Sequence, residues 1–106
     1  MYRIRLIDRI DSITFLTGEA NYTRIHFLRD KDLILCKTLS QCVAQLPGFL
    51  RIHKQYAINP RFLTGIVTTG PRTAHTLVAG NRLPISRRRL REVLAAVSSS
   101  DVVNTA

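Results

Sequence analysis

The sequence has no tryptophan, one methionine, two cysteines and only seven acidic residues in 106 positions. Each shortage removes a class of protein. Cys36 and Cys42 are spaced for neither a Cys-x-x-Cys redox pair nor a zinc ligand set, so disulfide scaffolds and zinc modules drop out. Both stand among apolar neighbours and are expected as small buried hydrophobes, which suits a reducing cytoplasm. His26, His53 and His75 also lack metal-ligand spacing, and no cofactor or metal is expected. The carboxylates are too few and scattered to supply an acid–base pair. There is no G-x-x-x-x-G-K-[ST] loop and no G-x-S-x-G turn. Nothing recognisable as catalytic chemistry remains, and an enzyme is not expected. No apolar run is long enough to span a membrane. The opening residues Met1-Tyr2-Arg3-Ile4-Arg5-Leu6-Ile7-Asp8 do not form the apolar segment of a signal peptide. The expected location is therefore cytoplasmic.

What the sequence has in excess is positive charge. Sixteen Lys and Arg give a net charge of +9 and a pI near 10.8. Lysine accounts for three of them, Lys31, Lys37 and Lys54; the rest are arginine. Arginine forks onto phosphate and guanine, whereas lysine acts as a point charge. The excess points to a polyanionic partner, against the plainer alternative of a basic surface that only confers solubility. With 45% hydrophobic and 22% charged residues the chain has the composition of an ordinary globular protein. Its length suits a single domain, expected over residues 1–97, with a small, polar, flexible tail over 98–106.

Short strands dominate the pattern. Strands are expected at Arg3–Leu6, Ile13–Thr17, Tyr22–Leu28, Leu33–Lys37, Leu50–Ile52, Tyr56–Ile58, Gly65–Thr69, Thr73–Val78 and Arg82–Ile85. Asp8–Ser12, Gly18–Asn21, Arg29–Asp32, Thr69-Gly70-Pro71 and Ala79-Gly80-Asn81 supply turns. Tyr22 to Leu28 alternates most cleanly, with Ile25 and Phe27 inward. Two helices are expected. Thr38-Leu39-Ser40-Gln41 fits a capping box, with Leu39, Val43 and Leu46 on one face and Pro47-Gly48 as the stop. A second helix follows Ser86 as N-cap and places Leu90, Val93, Leu94 and Val97 at helical spacing. The fold class is mainly β, built of short antiparallel sheets with two short helices.

Three segments are candidates for function. In Pro84-Ile85-Ser86-Arg87-Arg88-Arg89-Leu90-Arg91, arginines fill a first helical turn that normally favours Asp or Glu, a conflict of up to ~1 kcal/mol per charge. A bound phosphate would reverse that conflict, since helix-terminal N–H groups and arginines together bind anions. A solvated basic helix face is the alternative. The second segment, Phe49 to Pro60, sets a polar centre, His53-Lys54-Gln55, between two apolar pieces. His53 is either a hydrogen-bonded structural histidine or a contact residue, Lys54 either a contact or simply solvated. Asn59 before Pro60 reads as a turn former. In the third, Gly18 to Arg24, Asn21, Tyr22 and Arg24 either contact a partner or belong to an ordinary turn.

These three segments resemble, in order and spacing, the LytTR-type DNA-binding domain of bacterial response regulators. The matching stretches are Ile13-Thr14-Phe15-Leu16-Thr17-Gly18-Glu19-Ala20-Asn21-Tyr22-Thr23-Arg24-Ile25, then Phe49-Leu50-Arg51-Ile52-His53-Lys54-Gln55-Tyr56-Ala57-Ile58-Asn59, then Leu83-Pro84-Ile85-Ser86-Arg87-Arg88. Together they span about Ile10 to Leu94. The resemblance implies an elongated β-sandwich and sequence-specific binding of double-stranded DNA in a two-component system. Loops, rather than a recognition helix, would enter successive major grooves, commonly at direct repeats, with a homodimer on DNA as one arrangement. It places Asn21, Tyr22 and Arg24 in a first contact loop, Lys54 at a contact position just after the motif histidine His53 and beside the candidate Gln55, and Arg87 at a base, flanked by Ser86 and Arg88. Arg91 is expected on phosphate. Lys54 stands where the family usually has arginine, and Gln55 where it has serine; a lysine cannot make the planar fork. The rival functions are binding of RNA or single strands and docking to an acidic protein or membrane surface. The first wants exposed aromatics, and the tyrosines and phenylalanines mostly read as buried.

Overall fold

The computed structural model describes residues 5–98. A 3-10 helix, Leu6–Ser12, leads into strand β1, Ile13–Glu19. Then come β2 (Tyr22–Phe27), β3 (Leu33–Leu35), helix α1 (Leu39–Ala44), β4 (Leu50–His53) and β5 (Tyr56–Ile58). A second 3-10 turn, Pro60–Phe62, leads to β6 (Leu63–Gly70), β7 (Thr73–Val78), β8 (Asn81–Ile85) and helix α2 (Arg87–Ser98). The strands form two antiparallel sheets, one of five strands in the order β3-β2-β1-β5-β4 and one of three, β6-β7-β8. The described part measures 49 × 26 × 21 Å.

At β1 the five-stranded sheet is covered by apolar groups on both faces, which explains why β1 reads as a continuous run, Ile13-Thr14-Phe15-Leu16 all buried, rather than alternating. Leu16, Ile25 and Ala57 pack with Leu6 of the first 3-10 helix and with Leu39, Cys42 and Leu46. Phe15, Ile52 and Ile58 pack with Leu63, Ile66, Ala74, Val78, Leu83 and Ile85 of the second sheet and with Val93 and Val97 of α2. The result is the expected elongated pair of sheets, with one helix added on each side.

Local signals held where they were strong. In β2, Thr23, Ile25 and Phe27 are buried while Tyr22, Arg24 and His26 lie on the other face, Tyr22 exposed and Arg24 and His26 half-buried. Thr38 caps α1 with both arms of the capping box, Gln41 N to Thr38 Oγ1 at 3.2 Å and Thr38 N to Gln41 Oε1 at 2.9 Å. The β7–β8 turn takes positive φ at Ala79 (47°) and Gly80 (83°), the geometry that matches the twist of a hairpin.

Expectations fail at two places, the N-terminal segment and the end of β3. Leu6 and the Asp8–Ser12 turn belong to one 3-10 stretch instead of a strand and a turn; Arg3 and Ile4 lie outside the described residues. Both edges of β1 are already taken by β2 and β5, so no ladder position remains beside it. β3 stops at Leu35 rather than Lys37, and Cys36 is exposed. On this edge strand Leu33 and Leu35 lean on the core, while Ile34 is 51% exposed, and Cys36 follows in the same outward phase. On α2, Val93 and Val97 are buried, but Leu94 is 37% exposed. The flexible tail expected over 98–106 falls, beyond Ser98 at the end of α2, outside the described residues.

Candidate nucleic-acid interface

Two of the three candidate segments meet at the β4–β5 hairpin. The Ser86 N–H donates to the Ile52 carbonyl at 2.9 Å, so α2 starts beside β4. The helix then lies over β4 and β8. Arg89, Val93 and Val97 recur at intervals of four, one stripe of an α-helix. The two valines enter the core, and Arg89 at the stripe's start comes to the hairpin. There it acts electrostatically on both Arg51 and His53. Arg87, Arg88 and Arg91 fall on the other side and line a shallow groove with Leu90, Leu94 and Arg72. Four arginines that look equivalent in sequence are therefore divided between two surfaces. Arg72, from the β6–β7 turn, was not among the sequence candidates; its only signal was its place after Thr69-Gly70-Pro71.

The hairpin turn itself is tightly held. The Gln55 N–H donates to His53 Nδ1 at 3.0 Å, and the imidazole lies 5.4 Å from the Tyr56 ring. A nitrogen that accepts this bond carries no proton, so Nε2–H is the ring's donor. Burial pushes the His53 pKa below its usual value, and the charges of Arg51 and Arg89 push the same way. His53 is thus both the hydrogen-bonded structural histidine and a neighbour of the cationic cluster. Lys54 and Gln55 are exposed at the tip.

The first candidate loop comes close by another route. The Gly18 N–H donates to the Gln55 carbonyl at 2.8 Å, so the end of β1 is anchored to the hairpin turn. Gly18 and Ala20 line one depression with Ser40, Arg51, Lys54 and Gln55. The tip is Ala20-Asn21, with Ala20 at φ 45° and Asn21 exposed. Tyr22 is 37% exposed. Arg24 is different. It projects from the outer face of β2 between Glu19 (3.8 Å) and Asp32 (3.6 Å), so its charge is largely met within the protein.

That contrast extends over the molecule. The ion pairs among the described residues involve Arg9 with Asp30, Arg24 with Glu19 and Asp32, and Arg61 with Asp11; His26 Nδ1 lies 3.4 Å from Asp32 and pairs as an ion only when protonated. None involves Arg51, Lys54, Arg72, Arg87, Arg88, Arg89 or Arg91. Asn59, the turn former, is buried and accepts from the Arg61 N–H while donating to the Ile10 and Ile13 carbonyls. It belongs to the framework. Among the described residues no group of His, Cys, Asp or Glu could hold a metal ion, and no helix is long and apolar enough to cross a membrane.

Fold and charge together define a small antiparallel-β domain whose cationic end has no carboxylate partner among the described residues. The LytTr DNA-binding domain profile matches residues 2–98, and the chain belongs to that family. The family comprises the DNA-binding domains of transcription regulators. Among solved structures, the LytTr DNA-binding domain of a Bacillus cereus response regulator is similar in fold. Its TM-score is 0.75 at 16% identity, over 83% of each chain. No curated protein sequence matches.

Proposed function

We propose that this domain recognises specific sequences in double-stranded DNA on behalf of a cytoplasmic transcription regulator. Its loops contact successive major grooves. The observation that carries the reading is the set of cations at one end without a carboxylate partner among the described residues, from Arg51 and Lys54 to the arginines of α2, beside a helix N-terminus. Each feature favours phosphate. Arg87 reads a base edge, with Ser86 and Arg88 on its flanks. Lys54 and Gln55, with His53 behind them, and the tip at Asn21 and Tyr22 form the remaining readers. Arg91, joined by Arg72 in the same groove, holds phosphates. Arg24, held by two carboxylates, contributes least. Sites arranged as direct repeats suit the arrangement, with two copies binding side by side as a homodimer on DNA. Tyr22 is the one exposed tyrosine or phenylalanine among the described residues. That favours duplex over RNA or single strands, which are gripped by several stacking rings.

Selection from a random duplex library, with Arg87→Ala in parallel, tests the proposal. Enrichment of a repeated motif by the native protein, blurred at one position by the variant, is expected. Uniform, salt-sensitive binding without enrichment would refute sequence-specific recognition.

A further inference from the structure

The contact turn of the β4–β5 hairpin is held from inside by one side chain. Arg51 directs every nitrogen of its guanidinium at the protein. Nε donates to the His53 carbonyl at 3.0 Å, one terminal nitrogen to the Lys54 carbonyl at 2.6 Å, and the other to Ser40 Oγ at 3.1 Å. Arg51 pairs across the hairpin with Ala57, and the register shifts between Arg51 and His53. Such an irregularity re-aims the side chains that follow it. Here it turns two successive carbonyls toward one cation. The third contact reaches the first turn of α1, so the turn is braced against a helix and not only against its own strand.

The charge setting is unusual. Burial lowers the Arg51 pKa and the nearby charge of Arg89 adds to the shift, and no described carboxylate pairs with either. A guanidinium fixed by two carbonyls and a hydroxyl has little freedom left to swing onto phosphate. Its planar fork meets several acceptors at once, which a lysine ammonium cannot reproduce.

We propose that Arg51 is a positioning residue. It sets the backbone of His53 and Lys54 before DNA arrives, and so fixes the direction in which Lys54 and Gln55 project. Its contribution to binding is pre-organisation, a reduction in the ordering that association would otherwise require. The part of this that concerns binding rests on the function proposed above; the bracing of the turn belongs to the free protein.

The test uses Arg51→Lys, Arg51→Met and the milder Ser40→Ala. Backbone amide exchange is followed by NMR on the free protein. Titrations use the duplex selected by the native protein and a random duplex, each at two salt concentrations. The expected result is faster exchange and shifted resonances at Lys54 and Gln55 in both Arg51 variants, with core amides such as Ile25 and Val93 unchanged. Affinity for the selected duplex falls about tenfold or more, the scale of lost pre-organisation and buried polar contacts. Affinity for random duplex changes less than about threefold. Ser40→Ala moves the same resonances by a smaller amount. If Arg51→Lys restored native affinity for the selected duplex, Arg51 would act as a charge and the proposal would be overturned. Unchanged Lys54 and Gln55 amides would overturn it equally. If the native protein favoured no duplex, the functional proposal would fall, and the amide measurements would still decide whether Arg51 braces the turn.

Discussion

Asn59→Ala should be among the most damaging single changes in the framework. The side chain is 8% exposed and makes three hydrogen bonds. Nδ2 donates to the Ile13 carbonyl at 2.9 Å in the buried interior and to the Ile10 carbonyl at 3.2 Å; Oδ1 accepts from Arg61 N at 3.1 Å. Together they hold the first 3-10 helix, the start of β1 and the 3-10 turn before β6. Removal strands the buried Ile13 carbonyl, a penalty of about 1–3 kcal/mol, and breaks two part-buried bonds at about 0.5–1.5 kcal/mol each. The total of about 2–6 kcal/mol compares with about 5–15 kcal/mol for the whole domain. The melting temperature should fall by roughly 10–50 °C, at about 4–8 °C per kcal/mol for a domain of this size. Urea unfolding followed by circular dichroism measures it directly. Asn59→Asp sharpens the test. It is isosteric and keeps the acceptor for Arg61, but it loses both donors and sets a carboxylate against two carbonyl oxygens. It should therefore be less stable than Asn59→Ala at pH 7. A loss below about 1 kcal/mol for the alanine variant, or an aspartate variant as stable as it, would refute the reasoning, since a bond to a buried carbonyl should exceed that value.

Gly18→Ala would place a Cβ 2.9 Å from Leu39 Cβ, a point that cannot move without its backbone. The expected loss is about 1–3 kcal/mol by urea unfolding, as for other overpacked cores; a change within about 0.5 kcal/mol would show that α1 shifts freely. Arg87→Ala should weaken binding to the selected duplex by about 1–3 kcal/mol and relax one base position, whereas Arg91→Ala should weaken all duplexes alike and reduce the salt dependence. Equal losses on every duplex in binding titrations would remove the distinction between reader and clamp. His26 and His53 both titrate below their ordinary value, in each case chiefly through burial, with Asp32 partly opposing the shift at His26. Between the ordinary value near 6.5 and the lowered one, the unfolded chain binds more protons than the folded one, so stability is complete above about pH 6.5 and declines below it. Urea midpoints at pH 7.5 and 5.5 should show this fall, and a double His26→Gln, His53→Gln variant should flatten it; a native protein equally stable at both pH values would contradict it.

Several features of this protein are determined within a few residues and were legible in the sequence. The alternation in β2, the Thr38 capping box and the run of turn residues are local, because side-chain direction and cap hydrogen bonds depend on neighbours no more than four positions away. The three segments carrying the family resemblance were legible for the same reason, as short contiguous strings. Charge was legible as a total.

Other features depend on which surfaces meet, and only the tertiary structure decided them. Ile13 to Leu16 could be assigned no inward face until both sides of β1 were covered. Leu6 and Ile10 read as strand and turn because nothing local says that the edges of β1 are occupied. Cys36 and Cys42 look alike in sequence, yet one follows an edge strand outward and the other packs under the sheet. The arginines from Arg87 to Arg91 were visible as a cluster. Their division, with Arg89 toward His53 and Arg87, Arg88 and Arg91 toward Arg72, follows from the Val93–Val97 stripe and the anchoring of Ser86 to Ile52. Arg51 read as one more basic residue in a strand. Its hold on the His53 and Lys54 carbonyls and on Ser40 exists only because chain folding brings α1 to the hairpin. Periodicity acts along the chain, whereas coverage, pairing and charge neighbourhood act across it.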